Sequence, residues 1–294
     1  MIMFEQLQQK INDDFPDASE FILQAYKKHH ESIQDAFVTI KDIVGSASDK
    51  DGKLKVRMTR PAISALDMFL LFLLSTDLQE RGGTRFVEVG SKYGWSMMTT
   101  GLALKPPCGL ACYEISNRYT KTLNRRASRT NKLTTIHIQD GLARLKQMAQ
   151  DNEQVDQLFV DADHVYGFAK QYICLPLLDM LSDIGQIHFH DFHLNPQYNK
   201  NDRCFGESYA VIEWYNQYKA RIDKDYLCVY AGRFVDRNPV HSSLLKSYYN
   251  TRNFFSRNDL PSMFYKRKFF SMGDRTWLYG SLWFISRNRL ANYC

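Results

Sequence analysis

Residues 85–94 read R-F-V-E-V-G-S-K-Y-G, and this stretch decides the fold that the sequence predicts. It begins as a short apolar run of β-formers, which Gly90 ends, and the residues after Gly94 can form a helix. A buried strand, a Gly-x-x-x-Gly turn and a helix open a doubly wound α/β domain, in which a ligand lies at the carboxyl ends of the strands. The two glycines let backbone N–H groups approach such a ligand, although the same pair also occurs in plain strand–helix turns.

Four further strand–helix units follow along the chain. Their apolar runs predict strands at residues 109–115, 134–138, 155–160 and 185–189, with helices that reach to about residues 131, 150, 181 and 220. Two more strands are predicted near residues 226–230 and 277–286. Strands that alternate with helices form a parallel sheet with right-handed crossovers. The sequence therefore predicts an α/β fold with a doubly wound, mostly parallel, seven-stranded sheet.

Residues 1–80 form a predicted helical extension, or cap, ahead of an α/β domain at residues 81–294. Apolar residues recur there at spacings of three and four, and Pro16 is expected to break the first helix. A polar loop is predicted at residues 46–52, followed by a second helix at residues 60–78 that opens with Pro61 and is apolar nearly all round. Such a helix is expected to be buried against the sheet or, in a homo-oligomer, against a partner subunit.

The composition is that of a globular protein with a substantial core, with 44% hydrophobic and 24% charged residues among 294. The six cysteines are scattered, which favours reduced thiols in a cytoplasmic protein over a disulfide framework. The first residues lack the basic and apolar regions of a signal peptide. The longest apolar run, residues 68–74, is far below the ~20 residues that span a bilayer. A soluble cytoplasmic protein is therefore expected.

Charge is distributed unevenly along the chain. Residues 1–80 carry 9 Lys/Arg against 13 Asp/Glu, a net charge of −4, whereas the rest carries 29 against 19, a net charge of +10. Nine of those basic residues lie in a basic aromatic insertion at about residues 232–275. Such a segment can bind nucleic acid or another anionic partner. The favoured interpretation is an ordinary solvated surface, so nucleic acid is not the leading expectation.

An acidic residue closes or follows each of the first five strands: Glu88, Glu114, Asp140, Asp161 and Asp191. In a parallel sheet these strand ends lie along one edge, so the five carboxylates are expected to line a single crevice. A carboxylate at the end of the second strand can accept hydrogen bonds from both hydroxyls of a ribose. This predicts that Glu114 binds a nucleoside cofactor. A dinucleotide would suit Glu114 equally, but the first loop lacks the Gly-x-Gly-x-x-Gly arrangement of dinucleotide-binding folds.

A charged cluster closes the fourth and fifth strands, with D-A-D-H at residues 161–164 and H-F-H-D at residues 188–191. Asp161, His190 and Asp191 offer two carboxylates and an imidazole, a ligand set that suits Mg²⁺ or Mn²⁺. The alternative is that the histidines of the second motif are ordinary strand histidines whose ring nitrogens are hydrogen-bonded.

A base is also predicted near this cluster. A metal would lower the pKa of a bound hydroxyl, and a nearby side chain would take its proton. Asp163 is the first candidate for that base and His164 is the second. The alternative for Asp163 is that it caps the helix that follows.

Taken in order, these motifs resemble the class I S-adenosylmethionine-dependent methyltransferases. The residues that carry the resemblance are Glu88-x-Gly90-x-x-x-Gly94-x-Ser96, Glu114, Asp140-Gly141, Asp161-x-Asp163-His164-x-Tyr166 and His190-Asp191. More narrowly, they look like the branch with the macrocin and novobiocin sugar O-methyltransferases and the cephalosporin hydroxylase-like proteins. The resemblance covers about residues 84–192 and, more loosely, the last two strands. Residues 1–80 and 232–275 show no motif of the family.

The resemblance implies S-adenosyl-L-methionine as the cofactor and a divalent metal, Mg²⁺ or Mn²⁺. The implied cofactor-binding residues are Glu88, Gly90, Ser91, Tyr93, Gly94, Ser96, Glu114, Ile115, Asp140, Gly141 and Asp161. The implied metal ligands are Asp161, His190 and Asp191, and Asp163 is the implied base on a sugar hydroxyl. An acidic residue is common at the His190 position in metal-dependent members, so this departure leaves the choice and the use of the metal open.

The leading hypothesis is an O-methyltransferase that acts on a hydroxyl of a sugar, a glycan or a related small molecule, for which the basic insertion suggests an anionic group. An RNA methyltransferase is a competing hypothesis, but no Lys-Asp-Lys-Glu-type constellation is evident in the sequence. A non-catalytic assembly protein would bind S-adenosylmethionine without turnover. A dehydrogenase would bind NAD(H) instead.

Overall fold

A computed structural model of the chain describes residues 2–45, 65–130, 133–192, 200–201, 206–231 and 280–292. The strands in this part of the chain are β1 (Arg85–Val89), β2 (Gly109–Tyr113), β3 (Thr134–His137), β4 (Val155–Val160), β5 (Leu181–Phe192), β6 (Tyr226–Ala231) and β7 (Gly280–Ser286). They form one seven-stranded sheet in the order β3-β2-β1-β4-β5-β7-β6. Neighbours from β3 to β5 are parallel, whereas β7 is antiparallel to β5 and β6. The predicted fold class is therefore confirmed.

The helices of the described residues are α1 (Ile2–Gly45), α2 (Ala65–Glu80), α3 (Trp95–Ala103), α4 (Thr120–Ala127), α5 (Gly141–Gln150), α6 (Tyr166–Ile173) and α7 (Gly206–Asp225). Short 3-10 helices lie at Asn117–Tyr119 and Arg287–Asn292. The helix after the predicted strand at residues 155–160 is expected from the sequence to reach about residue 181, and this prediction is wrong, because α6 ends at Ile173. Pro176 cannot continue a helix, and β5 already begins at Leu181.

Helix α1 is continuous over 44 residues, so the predicted break at Pro16 is wrong. Its apolar face is buried on both sides of the proline. Leu7 and Ile11 pack into one core cluster, and Phe21 and Ala25 pack into another. A proline inside a helix removes a hydrogen bond and costs about 3 kcal/mol. The burial of apolar side chains before and after Pro16 offsets that cost.

Two buried polar side chains attach α1 to the edge strand β6. Lys10 Nζ donates a hydrogen bond to the carbonyl oxygen of Tyr226 over 2.9 Å, and Cys228 N donates to Asp14 Oδ2 over 2.7 Å. Lys10 and Asp14 also form an ion pair with each other at 2.8 Å. Edge-strand backbone groups need such partners when they are covered, so this contact fixes where α1 crosses the sheet.

Helix α2 is buried at every position from residue 67 to residue 78, as expected for a helix that is apolar nearly all round. Its apolar residues share a core cluster with α1, with α3 and with the strands β6 and β7. The chain's own fold therefore covers this helix. Pro61, the predicted polar loop at residues 46–52 and the basic insertion at residues 232–275 lie outside the described residues.

The described residues contain no helix that is both long enough and apolar enough to cross a membrane. Four of the six cysteines belong to the described part, and each is a free thiol: Cys108, Cys112, Cys174 and Cys228.

Candidate active site

The carboxyl ends of the parallel strands meet at one edge of the sheet. Backbone hydrogen bonds join the residue after one strand to the end of its neighbour. Asp161 N donates to Val89 O over 2.9 Å, and Glu114 N donates to His137 O over 3.0 Å. The predicted site residues after β1, β2 and β4 therefore share this edge, as the strand order requires.

The first loop contains two glycines with left-handed backbone conformations. Gly90 has a φ of +90°, and a Cβ there would lie 1.9 Å from the carbonyl oxygen of Asp161. Gly94 has a φ of +73°, and a Cβ there would lie 2.7 Å from Leu123 Cδ2. Between them, Lys92 also has a positive φ, of 42°. The loop passes so close to the end of β4 and to α4 that both positions need glycine.

Glu88 lies in β1, directly before this loop, and only 1% of its surface is exposed. Ser96 at the start of α3 donates a hydrogen bond to its Oε1 over 2.9 Å. Burial raises the pKa of Glu88 to about 7, because the charged carboxylate loses its hydration, and the hydrogen bond from Ser96 offsets part of that effect. No hydrogen bond reaches Glu88 Oε2 within the described residues.

Glu114 follows β2, and both of its carboxylate oxygens accept backbone hydrogen bonds. Lys92 N donates to Oε2 over 2.7 Å, and Ser116 N donates to Oε1 over 2.9 Å. The first of these bonds ties Glu114 to the glycine loop. Each oxygen keeps a second lone pair that a ligand hydroxyl can use. The next residue, Ile115, is 74% exposed and adds an apolar surface beside the carboxylate.

Asp140 and Gly141 begin α5. Asp140 caps that helix, because its Oδ1 accepts a hydrogen bond from the backbone N–H two residues on, over 2.9 Å. A Cβ on Gly141 would lie 2.6 Å from Val89 Cγ1, so the helix starts in close contact with β1. Ile138, just before this pair, is 40% exposed. Among the described residues, Ile138 and Ile115 are the large hydrophobic side chains that remain exposed.

The predicted metal ligands converge at the ends of β4 and β5. His190 Nδ1 lies 3.3 Å from Asp161 Oδ1 and 3.3 Å from Asp191 Oδ1. One donor atom from each of the three residues lies within 4.8 Å of the others, a spacing that can hold a metal ion. Burial alone would lower the pKa of His190, but the carboxylates of Asp191 and Asp161 hold that pKa well above its usual value.

The end of β5 is irregular where these ligands lie. The strand runs to Phe192, beyond its predicted end at residue 189, and its register with β7 shifts between these two positions. Asp191 has a φ of 51°, which is uncommon for a residue with a side chain. Successive strand residues normally point to opposite faces of a sheet. The irregularity allows both His190 and Asp191 to face Asp161.

The two candidate bases lie in different surroundings. Asp163 is exposed, and its Oδ1 accepts a long hydrogen bond of 3.4 Å from Val165 N, while Val165 itself occupies the N-cap position of α6. His164 instead faces the partly buried cluster, with Nε2 3.3 Å from Asp191 Oδ2 and Nδ1 2.7 Å from Glu207 Oε2. Burial lowers the pKa of His164, but the hydrogen bond and charge of Glu207, together with the charges of Asp161 and Asp191, raise it to about 9.

His188 does not take part in the site. It is fully buried, and its ring stacks on Trp283 with centroids 3.6 Å apart. Burial lowers the pKa of His188 well below its usual value, so the ring is neutral. His188 is therefore a buried strand histidine, but the expectation that its ring nitrogens are hydrogen-bonded is wrong, because no hydrogen bond reaches either nitrogen within the described residues.

Two residues that the sequence analysis missed support the site. Arg126 of α4 donates a hydrogen bond to the carbonyl oxygen of Tyr93 in the glycine loop and stacks over the Trp95 ring at 3.8 Å. Glu207 of α7 holds His164. An arginine in a basic helix and a glutamate in a first helical turn are both common, so neither position carried a signal before the helices were placed in space.

Comparisons with known proteins agree with this architecture. Residues 87–192 match the family model Methyltransf_24, described as a methyltransferase domain. The chain is similar to the O-methyltransferase TomG from Streptomyces achromogenes, involved in tomaymycin synthesis and solved with S-adenosylmethionine, at 15% identity over 84% of this chain and 89% of that chain, with a TM-score of 0.50. It is also similar to the O-methyltransferase from Bacillus cereus solved with S-adenosylhomocysteine, at 12% identity over 84% of this chain and 90% of that chain, with a TM-score of 0.50.

At these low identities the two solved structures support the fold alone. A search among curated proteins found no significant match. The match of residues 87–192 agrees with the predicted resemblance to methyltransferases, whereas the sugar O-methyltransferase branch stays a prediction.

Proposed function

We propose that this protein, whose residues 87–192 match a methyltransferase-domain family model, transfers the methyl group of S-adenosylmethionine to a hydroxyl of a small molecule. The observation that carries the proposal is the position of Asp161. Its backbone carbonyl packs against Gly90 of the glycine loop, and its carboxylate faces His190 in the partly buried cluster. A loop suited to a nucleoside cofactor and a cluster suited to a metal therefore share one residue at one edge of the sheet.

The residues at this edge fit S-adenosylmethionine. Two backbone N–H groups hold the Glu114 carboxylate in place, so it is preorganised to accept hydrogen bonds from the ribose hydroxyls. Ile115 and Ile138 offer exposed apolar surface for an adenine ring. Glu88, buried beside the glycine loop, can accept a hydrogen bond from the amino group at Oε2. The bound cofactor supplies an electrophilic methyl group on a sulfonium.

Asp161, His190 and Asp191 fit a divalent metal ion. They bring two carboxylate oxygens and an imidazole nitrogen within 4.8 Å of one another, a donor set that Mg²⁺ and Mn²⁺ both accept. Carboxylates this close repel each other unless a cation lies between them. A bound metal ion would lower the pKa of the acceptor hydroxyl and so make its oxygen a better nucleophile.

Asp163 is the proposed base. Its carboxylate is exposed, so it is accessible to an acceptor that enters from solvent, and it lies on the same loop as Asp161 and His164. Asp163 accepts the proton of the hydroxyl while the oxygen–carbon bond forms and the carbon–sulfur bond breaks. The products are the methylated acceptor and S-adenosylhomocysteine. Much of the rate acceleration comes from the side chains that hold the acceptor hydroxyl in line with the methyl group of the cofactor.

The acceptor is proposed to be a sugar, a glycan or a related polyhydroxylated molecule. This choice is supported by the resemblance of the D-x-D-H and H-D motifs to sugar O-methyltransferases and by the metal-type cluster, which neighbouring hydroxyls can chelate. The basic insertion at residues 232–275 favours an anionic acceptor such as a nucleotide-sugar.

Calorimetry and a methyl-transfer assay test the proposal. S-adenosylmethionine is expected to bind the wild-type protein. Its affinity is expected to be roughly tenfold lower for E114A and the same for D163N. Transfer of a labelled methyl group to a panel of sugars and nucleotide-sugars is expected to be lost in D163N and kept in D151N, a control carboxylate exposed at the end of α5. Absence of cofactor binding at millimolar concentration would overturn the proposal. Wild-type turnover by D163N would remove Asp163 as the base.

A further inference from the structure

His164 faces the two carboxylates of the proposed metal centre. Its Nε2 lies 3.3 Å from Asp191 Oδ2 and 3.7 Å from Asp161 Oδ1. His190 faces the same two residues with its Nδ1, at 3.3 Å from each. No hydrogen bond of good geometry reaches that buried Nδ1 within the described residues. Two imidazole nitrogens therefore converge on one pair of carboxylates.

Glu207, at the start of α7, holds the other ring nitrogen of His164. Its Oε2 lies 2.7 Å from His164 Nδ1, and the Tyr172 hydroxyl donates a hydrogen bond to its Oε1. The backbone N–H of Glu207 also donates to the carbonyl oxygen of His164 over 2.8 Å. Glu207 is 1% exposed, and a buried carboxylate is tolerated where its oxygens accept such bonds. The side-chain and backbone contacts together fix the orientation of the imidazole.

The start of α7 packs closely against the loop that carries His164. A Cβ on Gly206 would lie 2.5 Å from Tyr166 N, so this position also needs glycine. The close approach places Glu207 against His164 although 43 residues separate them in sequence. His164 lies inside the segment that matches the methyltransferase family and Glu207 lies outside it. The contact therefore joins the matched segment to a helix beyond it.

A buried carboxylate also faces the second imidazole. Asp67 Oδ2, in the first turn of α2, lies 4.0 Å from His190 Nε2. This distance is an ion-pair contact and exceeds that of a hydrogen bond. Each of the two imidazoles thus turns one nitrogen toward Asp161 and Asp191 and the other toward a buried carboxylate. In metal-binding histidines the second nitrogen is hydrogen-bonded to a group that orients the ring, and the contact of His164 with Glu207 at 2.7 Å has this geometry.

We propose that His164 is a fourth ligand of the metal ion and that Glu207 is its positioning residue. The hydrogen bond to Glu207 keeps a proton on Nδ1 and directs the lone pair of Nε2 toward Asp161 and Asp191. Two carboxylates and two imidazoles suit Mn²⁺ or a similar first-row transition ion better than Mg²⁺, which prefers oxygen ligands. This proposal rests on the metal centre of the proposed function and leaves the exposed Asp163 as the base.

The test uses the purified, metal-free, full-length protein with Mn²⁺ alone, followed by pulsed electron paramagnetic resonance. The wild-type protein is expected to bind Mn²⁺ with hyperfine couplings from two nitrogens and to bind Mg²⁺ more weakly. H164Q is expected to show one nitrogen coupling and about tenfold weaker Mn²⁺ binding or worse. E207Q is expected to weaken Mn²⁺ binding about 10–100-fold, as for other carboxylates that orient a ligating histidine.

H30Q and E213Q are the matched controls. His30 is an exposed histidine of α1, and Glu213 lies further along α7, where it pairs with Lys170 and Lys200. Both variants are expected to bind Mn²⁺ like the wild-type protein. Circular dichroism melting curves check that each variant is folded, and E207Q tests the proposal independently if H164Q does not fold.

Two nitrogen couplings that persist in folded H164Q would overturn the proposal, as would E207Q binding Mn²⁺ as tightly as E213Q. The measurement needs neither S-adenosylmethionine nor an acceptor, so its result is separate from the proposed function. A two-nitrogen Mn²⁺ site in a protein without methyl transfer would overturn the function alone. An active enzyme with a one-nitrogen site would overturn the assignment of His164 alone.

Discussion

The hydroxyl of Ser96 donates a hydrogen bond to Glu88 Oε1 over 2.9 Å in the interior, beside the glycine loop. Despite this bond, burial raises the pKa of Glu88 from its usual 4.5 to about 7. The native state therefore keeps a proton on Glu88 over a pH range in which the unfolded chain has released it. The stability that this proton contributes is fully present below pH 4.5 and is lost as the pH rises through 7.

We therefore expect E88Q to be more stable than the wild-type protein at pH 8. The shift of Glu88 corresponds to about 3 kcal/mol of the free energy of unfolding, at roughly 1.4 kcal/mol for each pKa unit. Urea denaturation between pH 5 and pH 8 should show that the wild-type protein loses stability over this range relative to E88Q. The control E5Q changes an exposed glutamate of α1 and should follow the wild-type curve. Parallel curves for E88Q and the wild-type protein would contradict the raised pKa.

Alanine at position 90 should damage both the fold and cofactor binding. The new Cβ would meet the Asp161 carbonyl oxygen at 1.9 Å, and the φ of +90° is strained for any residue with a side chain. A loss of roughly 2 kcal/mol or more is expected for G90A in chemical denaturation. G167A is the control, because a Cβ there has open space in α6, and it should stabilise the protein by about 0.5–1 kcal/mol. A G90A variant as stable as G167A would disprove the close approach.

Truncation of Ile115 should weaken S-adenosylmethionine binding without loss of stability. Its side chain is 74% exposed, so little of its surface is buried in the free protein. An adenine ring that packs against it would bury this surface, and I115A should lose about 1 kcal/mol of cofactor affinity, or roughly fivefold. Calorimetric titration and a melting curve of the same sample check both expectations. Equal affinity in I115A would place the adenine elsewhere.

The ion pair between Arg289 and Asp77 should be among the contacts most sensitive to mutation. Both side chains are buried, and Arg289 Nη2 lies 2.6 Å from Asp77 Oδ2. R289M removes this partner while Arg81 still pairs with Asp77, so the cost is expected near the lower end of the 3–5 kcal/mol of a broken buried pair, at about 3 kcal/mol. The exposed pair of Arg221 and Asp179 provides the control, because R221M should cost about 1 kcal/mol or less. Denaturation midpoints that shift equally in both variants would contradict this expectation.

The strands and the glycine loop were predictable because their signals are local. Most strands contain a short apolar run of β-formers, and the acidic residues lie at or just after the ends of those runs in sequence. Helix ends were predicted less well. Local sequence rules predict a helix break at Pro16, but the burial of apolar residues before and after the proline keeps α1 continuous.

The sequence by itself determined the order of strands and helices and the convergence of Glu114, Asp161 and Asp191 on one edge, since parallel strands place their carboxyl ends together. Only the tertiary structure decided which histidine nitrogens face those acids. That choice depends on the irregular end of β5 and on contacts between residues far apart in the chain, as between His164 and Glu207. Periodicity in a sequence reports which residues are buried, but it carries no information on which buried polar groups meet.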